Sequence, residues 1–161
     1  MIGAVATGDD LRALMRRLPA PVAVATVDAY GQRLGLTVSS LVSLSLEPPI
    51  VGVSISQQAA MHELLREAGG FTLSLLAAGQ EPLAQHFARG VPPIALWEGI
   101  ATEAGTRGAP RLAGALGWIE CRLAAEHATG DHTLFVGEVL AVQRGADAPP
   151  LVHHESGYRS L

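Results

Sequence analysis

Two long alternating runs meet at one tight turn, and this constrains the chain more than any other feature. Residues 115–127 and 132–143 flank Thr129-Gly130-Asp131, where Gly tolerates positive φ and Asp bonds its own backbone. After the turn, His132, Leu134, Val136 and Glu138 fall on one face, with Thr133, Phe135, Gly137 and Val139 on the other. Period-two alternation on both sides of a turn predicts an antiparallel hairpin. It also puts a titratable histidine at the mouth of a strand, where a rigid sheet can present it to a ligand.

Further short β-runs precede the hairpin. Val22–Val27 reads as a strand, Asp28-Ala29-Tyr30-Gly31 as a turn, and Gln32 to Ser40 as the returning partner. Pro48-Pro49 breaks the chain before a strand over 50–55, and Phe71–Leu76 forms another. Three short helices are predicted. The first is capped by Asp9 and Asp10 and striped by Leu11, Leu14, Met15 and Leu18; Pro19 and Pro21 end it. The second runs from Gln57 to Ala68 and stops at Gly69-Gly70. The third, about Glu81 to Arg89, carries Pro82 in its first turn, where a missing N–H costs nothing. Residues 90–112 form the longest irregular stretch, and Leu151 to Tyr158 closes the chain. The terminal hairpins lack the intervening helices of a doubly wound parallel sheet. The pattern predicts a mainly β, antiparallel, closed or nearly closed barrel with peripheral helices.

A second segment carries chemistry. From Thr37 to Ser45 the odd positions Thr37, Ser39, Ser43 and Ser45 are hydroxylated, with Leu41 the exception, while Val38, Val42, Leu44 and Leu46 are apolar, with Ser40 the exception. An ordinary solvent-facing stripe fits this pattern. So does a neutral wall against a flat heterocycle, since short hydroxyls donate, accept and let the backbone come close.

Other function classes lose support. The net charge of −4 argues against a nucleic-acid binder. Hydrophobic residues at 48% against 16% charged exclude a disordered chain. The lone cysteine, Cys121, cannot form an internal disulfide and reads as a buried, inert thiol. No run approaches the roughly 18 apolar residues of a membrane helix, no membrane partner is expected, and cytoplasmic is the default location. Six histidines invite a metal, yet none sits in metal-ligand spacing, so no metal site is expected. No Gly-x-Gly-x-x-Gly supports a Rossmann site.

Together, Gly130-Asp131-His132 and the segment Gly35–Pro49, with its core Thr37-Val38-Ser39-Ser40, closely resemble the signatures of the flavin reductase-like, FMN-binding split-barrel family. The match runs from about Pro21 to Tyr158. The resemblance implies a single domain, with residues 1–20 an N-terminal helical segment and 21–161 the split β-barrel. It implies that Thr37, Val38, Ser39 and Ser40, with Ser54, Ile55 and Ser56, line the flavin. Ser74 is also implied at the cofactor, at a position where the family often has Asn. Gln80, Phe87, Ala88 and Arg89 are implied near the FMN phosphate or ribityl chain, and His132 and Tyr158 at the nicotinamide. The implied activity is NAD(P)H-dependent reduction of FMN, or of FAD, by hydride transfer, which needs little protein machinery because both cofactors bring the reactivity. A homodimer is implied, as is a flavin-dependent monooxygenase component supplied by diffusing reduced flavin. A non-catalytic FMN-binding electron carrier is the alternative.

Overall fold

A computed structural model describes residues 5–106 and 108–161; the first four residues of the predicted N-terminal segment lie outside them. In chain order the elements are α1 (Gly8–Met15), β1 (Ala20–Pro21), β2 (Ala23–Ala29), β3 (Gln32–Val38), β4 (Val42–Leu46), β5 (Pro49–Ser56), α2 (Ala60–Ala68) and β6 (Gly70–Leu75). There follow α3 (Glu81–Ala88), β7 (Thr102–Glu103), β8 (Arg111–Leu112), β9 (Gly117–Thr129), β10 (His132–Arg144), β11 (Leu151–His154) and β12 (Gly157–Ser160). Every strand pairing is antiparallel. No helix among the described residues is long and apolar enough to cross a membrane.

Seven strands form the main sheet in the order β3-β2-β6-β9-β10-β5-β4. The strands at its two ends, β3 and β4, are consecutive in the chain and joined only by residues 39–41. Laid flat, seven strands span roughly 29 Å between their outer members. The link from Val38 to Val42 reaches at most roughly 14 Å. The sheet must therefore curl until its ends meet, which makes it a barrel with a seam.

The predicted strand from Gln32 to Ser40 is thus too long, and the hydroxyl run is not one strand. β3 ends at Val38, and Ser39-Ser40-Leu41 is the crossing between the two edges. The reason is tertiary: closure needs a break here, and it falls where Ser40 and Leu41 interrupt the alternation.

Val24, Val27, Val53, Ile55, Leu73 and Phe135 are fully buried, and β2 is covered on both of its faces. The alternation predicted for β10 holds. Thr133, Phe135 and Gly137 face the core, while His132, Leu134 and Val136 are half-exposed. Helix α2 lays Met61, His62, Leu64 and Leu65 onto β2 and β3 and ends at Gly69, whose φ of 66° suits a residue without Cβ. Helix α1 differs from its prediction. Thr7 is its N-cap, in a reciprocal box with Asp10, and none of its residues is buried. The stripe of Leu11, Leu14, Met15 and Leu18 lies open on the surface.

The irregular stretch before β9 is held by a buried ion pair. Arg111 Nη2 lies 2.8 Å from Glu120 Oε1, and both side chains are almost completely enclosed. Thr106 donates to the same carboxylate through N–H, at 2.9 Å, and through its hydroxyl, while Arg111 Nη1 donates to Gln143 at 2.7 Å. Burial alone would push the Glu120 carboxyl up. The Thr106 hydrogen bonds and the Arg111 charge outweigh it and hold the group below its ordinary 4.5. Breaking such a pair strands a buried charge, at a cost of roughly 3–5 kcal/mol. Glu120→Ala should lose about that much stability in urea unfolding. In the parent protein Glu120's contribution is fully present above its unfolded-state value near 4.5 and is lost as pH falls through its lower folded-state value. The acid limb of the stability curve should therefore flatten in the variant.

Candidate functional site

The seam opens into a cleft of about 490 Å³, and the sequence-predicted residues meet there. Thr37, Val38, Ser39 and Ser40 form one side, Ser54, Ile55 and Ser56 the other, and His132 closes the end. Ladder register explains the gathering. His132 lies opposite Ser56 and Leu134 opposite Ser54 across β10 and β5. Residues directly opposite share a face, so Ser54, Ser56 and His132 all point the same way.

Ser40 holds the seam. β4 pairs with β5 only as far as Gly52, leaving the next part of that edge without a strand partner. The Ser40 hydroxyl donates to the Ser54 carbonyl and accepts from the Ser54 N–H, each at 2.9 Å. One side chain thus replaces the two bonds that a neighbouring strand would have made. Ser39 makes no such bond and is exposed on the cleft wall.

A second cleft, about 370 Å³, adjoins the first and shares Leu36 and Ala59 with it. Phe87 and Ala88 line it, together with the 90–93 loop, and none of its lining side chains is charged. Helix α3 reaches this place because β3 lets it approach. A Cβ at Gly35 would come within 2.6 Å of the Phe87 ring, and the Thr37 hydroxyl donates to the Ala84 carbonyl at 2.6 Å.

Four predicted site residues lie elsewhere. Ser74 is fully buried and accepts the Leu112 N–H at 3.0 Å. The Gln80 amide clamps two backbone groups, accepting from Ala77 N–H and donating to the Ala113 carbonyl, each at 2.9 Å. Arg89 caps the C-terminus of α3 and donates to Gln85 at 3.2 Å. Tyr158 packs edge-on against His153, with centroids 5.5 Å apart, and lines neither cleft. Sequence reasoning missed Leu36, Ala59 and Met15, which line the main cleft as ordinary apolar residues with no chemical signature.

At the His132 end, the ring Nδ1 lies 2.7 Å from Asp131 Oδ1. This hydrogen bond, more than the nearby Arg12 charge, holds the Asp131 carboxyl below the usual carboxylate range. Gln57 fixes the turn beneath the pair. Its N–H donates to the Asp131 carbonyl at 3.0 Å, and its amide to the Gly130 and His132 carbonyls at 3.2 and 3.3 Å. A polar residue just beyond β5 gave no sign of that role. Cys121 lies away from both clefts, among Phe71 and Gly137; burial first, then the Glu120 charge, pushes its thiol up to about 12.

The sequence profile of the flavin reductase like domain matches residues 15–161. The chain belongs to this family. It is 42% identical to the reductase component of 4-hydroxyphenylacetate 3-monooxygenase from Thermus thermophilus, over 91% of this chain and 92% of that protein. Among solved structures, a Streptomyces globisporus NADH:FAD oxidoreductase superposes with a TM-score of 0.91 at 32% identity, covering 100% of this chain and 98% of the other. The flavin reductase component of a bacterial two-component tryptophan halogenase gives a TM-score of 0.89 at 35% identity, covering 96% and 98%. The fold is the split barrel of flavin reductases, as the sequence resemblance implied.

The geometry separates two serines of the same crossing. Ser40→Ala removes both seam bonds and should destabilise the protein by about 1–2 kcal/mol in chemical unfolding. Ser39→Phe leaves the seam intact and should instead abolish flavin binding in a fluorescence titration. Cys121→Ser should keep full flavin reductase activity in a steady-state assay, since the thiol only packs.

Proposed function

We propose that the protein is an NADH- or NADPH-dependent flavin reductase that takes FMN, or FAD, into the seam cleft and releases it reduced. The observation that carries the reading is the convergence of Thr37–Ser40, Ser54–Ser56 and His132 on one neutral, hydroxyl-lined cleft. Such a wall suits a flat, polar-edged ring system. Phe87 and Ala88 in the adjoining cleft would take what extends beyond the ring.

A bound flavin supplies the hydride-accepting chemistry, and the reduced nicotinamide brings the hydride. The chain's own contribution is placement. Ser39, Ser40, Ser54 and Ser56 hold the flavin edge, and His132 binds the nicotinamide end of the dinucleotide on the open side. Ser74 and Gln80 act from outside the clefts, by clamping backbone groups.

The reading includes a cytoplasmic homodimer. Its support is the apolar surface beside the cleft: Leu11, Leu14 and Met15 on α1, Leu18 just beyond it, and Val42, Leu44 and Leu46 on the edge strand β4 are all exposed. Met15 belongs both to this surface and to the cleft wall. Reduced flavin would then pass by diffusion to a flavin-dependent monooxygenase, as the names of relatives suggest.

Anaerobic mixing with NADH or NADPH and either flavin tests the activity. The yellow band should bleach as the dihydropyridine is consumed; tightly held flavin with no response to either nicotinamide would replace this reading with a non-catalytic electron carrier. His132→Ala should raise KM for the nicotinamide about tenfold, the scale of one lost hydrogen bond to a polar ligand, with flavin affinity nearly intact. Light scattering on size-exclusion should give a dimer, and Leu14→Glu should shift it to monomer.

A further inference from the structure

The two ring nitrogens of His132 stand in different surroundings. Nδ1 faces Asp131 Oδ1 at 2.7 Å, and among the described residues no side chain or backbone group bonds Nε2. The ring itself is part of the cleft wall. An ionised carboxylate only accepts hydrogen bonds, so the proton between the pair resides on Nδ1. In the neutral imidazole this leaves Nε2 with its lone pair free. Histidine in water prefers the opposite tautomer, so the arrangement is imposed by the neighbour.

The backbone around the pair is independently fixed. Gln57 bonds the carbonyls of Gly130, Asp131 and His132, and His132 is also laddered to Ser56 and to Thr129. The charge that reaches the pair from a neighbouring element is Arg12 of α1, which is itself paired with Asp9 at 2.6 Å. Ser56 and Thr129, on the flanking strands, carry no titratable group.

We propose that Asp131 is a positioning residue for the reduced nicotinamide: it locks His132 as the Nδ1–H tautomer, so that Nε2 is a hydrogen-bond acceptor aimed at a carboxamide N–H donor. The assignment rests on the reading of His132 as a nicotinamide-binding residue. Asp131 acts through His132 and touches no ligand itself. A carboxamide offers both an N–H donor and a carbonyl acceptor, and the locked tautomer selects the donor. A histidine free to change tautomer would serve either end, and the ring could then bind in two orientations.

Imidazole ¹⁵N spectra of the full-length, ligand-free protein at about pH 8, where an ordinary histidine is neutral, read the tautomer directly. The parent should show a protonated Nδ1 at His132, and Asp131→Leu should shift the population toward Nε2–H. In steady-state assays Asp131→Leu should raise KM for NADH about tenfold, with kcat changed by less than about twofold and flavin affinity unmoved. Asp131→Glu should recover part of the loss. In a His132→Ala background, Asp131→Leu should add nothing, because its effect runs through the ring. A parent spectrum dominated by Nε2–H, or an Asp131→Leu variant with unchanged KM while His132→Ala raises it, overturns the positioning role alone. If His132→Ala leaves KM unmoved, the nicotinamide reading of the site falls, and this role with it.

Discussion

The crossing between β3 and β4 governs the rest of the molecule. Three residues join the two ends of a seven-stranded sheet, so the sheet has no option but to close. Closure without a continuous ladder leaves backbone groups that require partners. At the point where β4 stops pairing, the Ser40 hydroxyl meets both backbone groups of Ser54. A larger residue would fill the opening, and an apolar one would leave Ser54 unsatisfied. A serine closes the seam electrostatically and keeps it sterically open. The cleft is the space that remains.

The hairpin that delivers His132 is held from two sides. Below, the next residue, Thr133, bonds buried His62 at 2.8 Å, and His62 in turn meets Glu63 at 2.9 Å and packs edge-on against Phe135. Beside the turn, Gln57 binds three successive carbonyls. Among the described residues no buried side-chain polar atom is left without a partner. These polar groups rigidify the strand end rather than react. That division suits a redox reaction in which the cofactors carry the reactivity and the protein contributes geometry.

Much of this was legible from the chain. Alternation located the β9–β10 hairpin and its inward face, Gly69 marked the end of α2, and Pro82 marked the start of α3. The signature residues placed the serine wall and His132 together. The break at residues 39–41 left a trace, since Ser40 and Leu41 are the two positions that violate the alternation, but a two-residue lapse does not by itself separate a bulge or an irregular strand from a crossing between sheet edges. Residue type alone did not separate Ser74 from Ser39 either. Leu112 brings its N–H to Ser74 through a short β8 segment within an irregular stretch that local pattern reasoning cannot place. A helix was expected near α1, but periodicity did not show that its apolar stripe of Leu11, Leu14 and Met15 stays open on the surface of this chain.

The two clefts are built from different material, and this bears on the proposed breadth toward flavins. The wall of the first is strand and seam, with register fixed by ladders on β5 and β10. The second is made by α3 and the loop after it, seated through the contact between Gly35 and Phe87; Phe87 in turn packs on Trp97, with ring centroids 5.3 Å apart, and the Trp97 indole donates to the Arg33 carbonyl at 3.0 Å. Loop positions open at lower free energy than strand positions. A ring shared by FMN and FAD would meet the rigid wall, while the part in which they differ would meet the helix and loop. Selection for the ring and tolerance toward its tail then come from the same sheet edge, one face of it pinned by Ser40 and the other by a glycine that lets an aromatic ring come close.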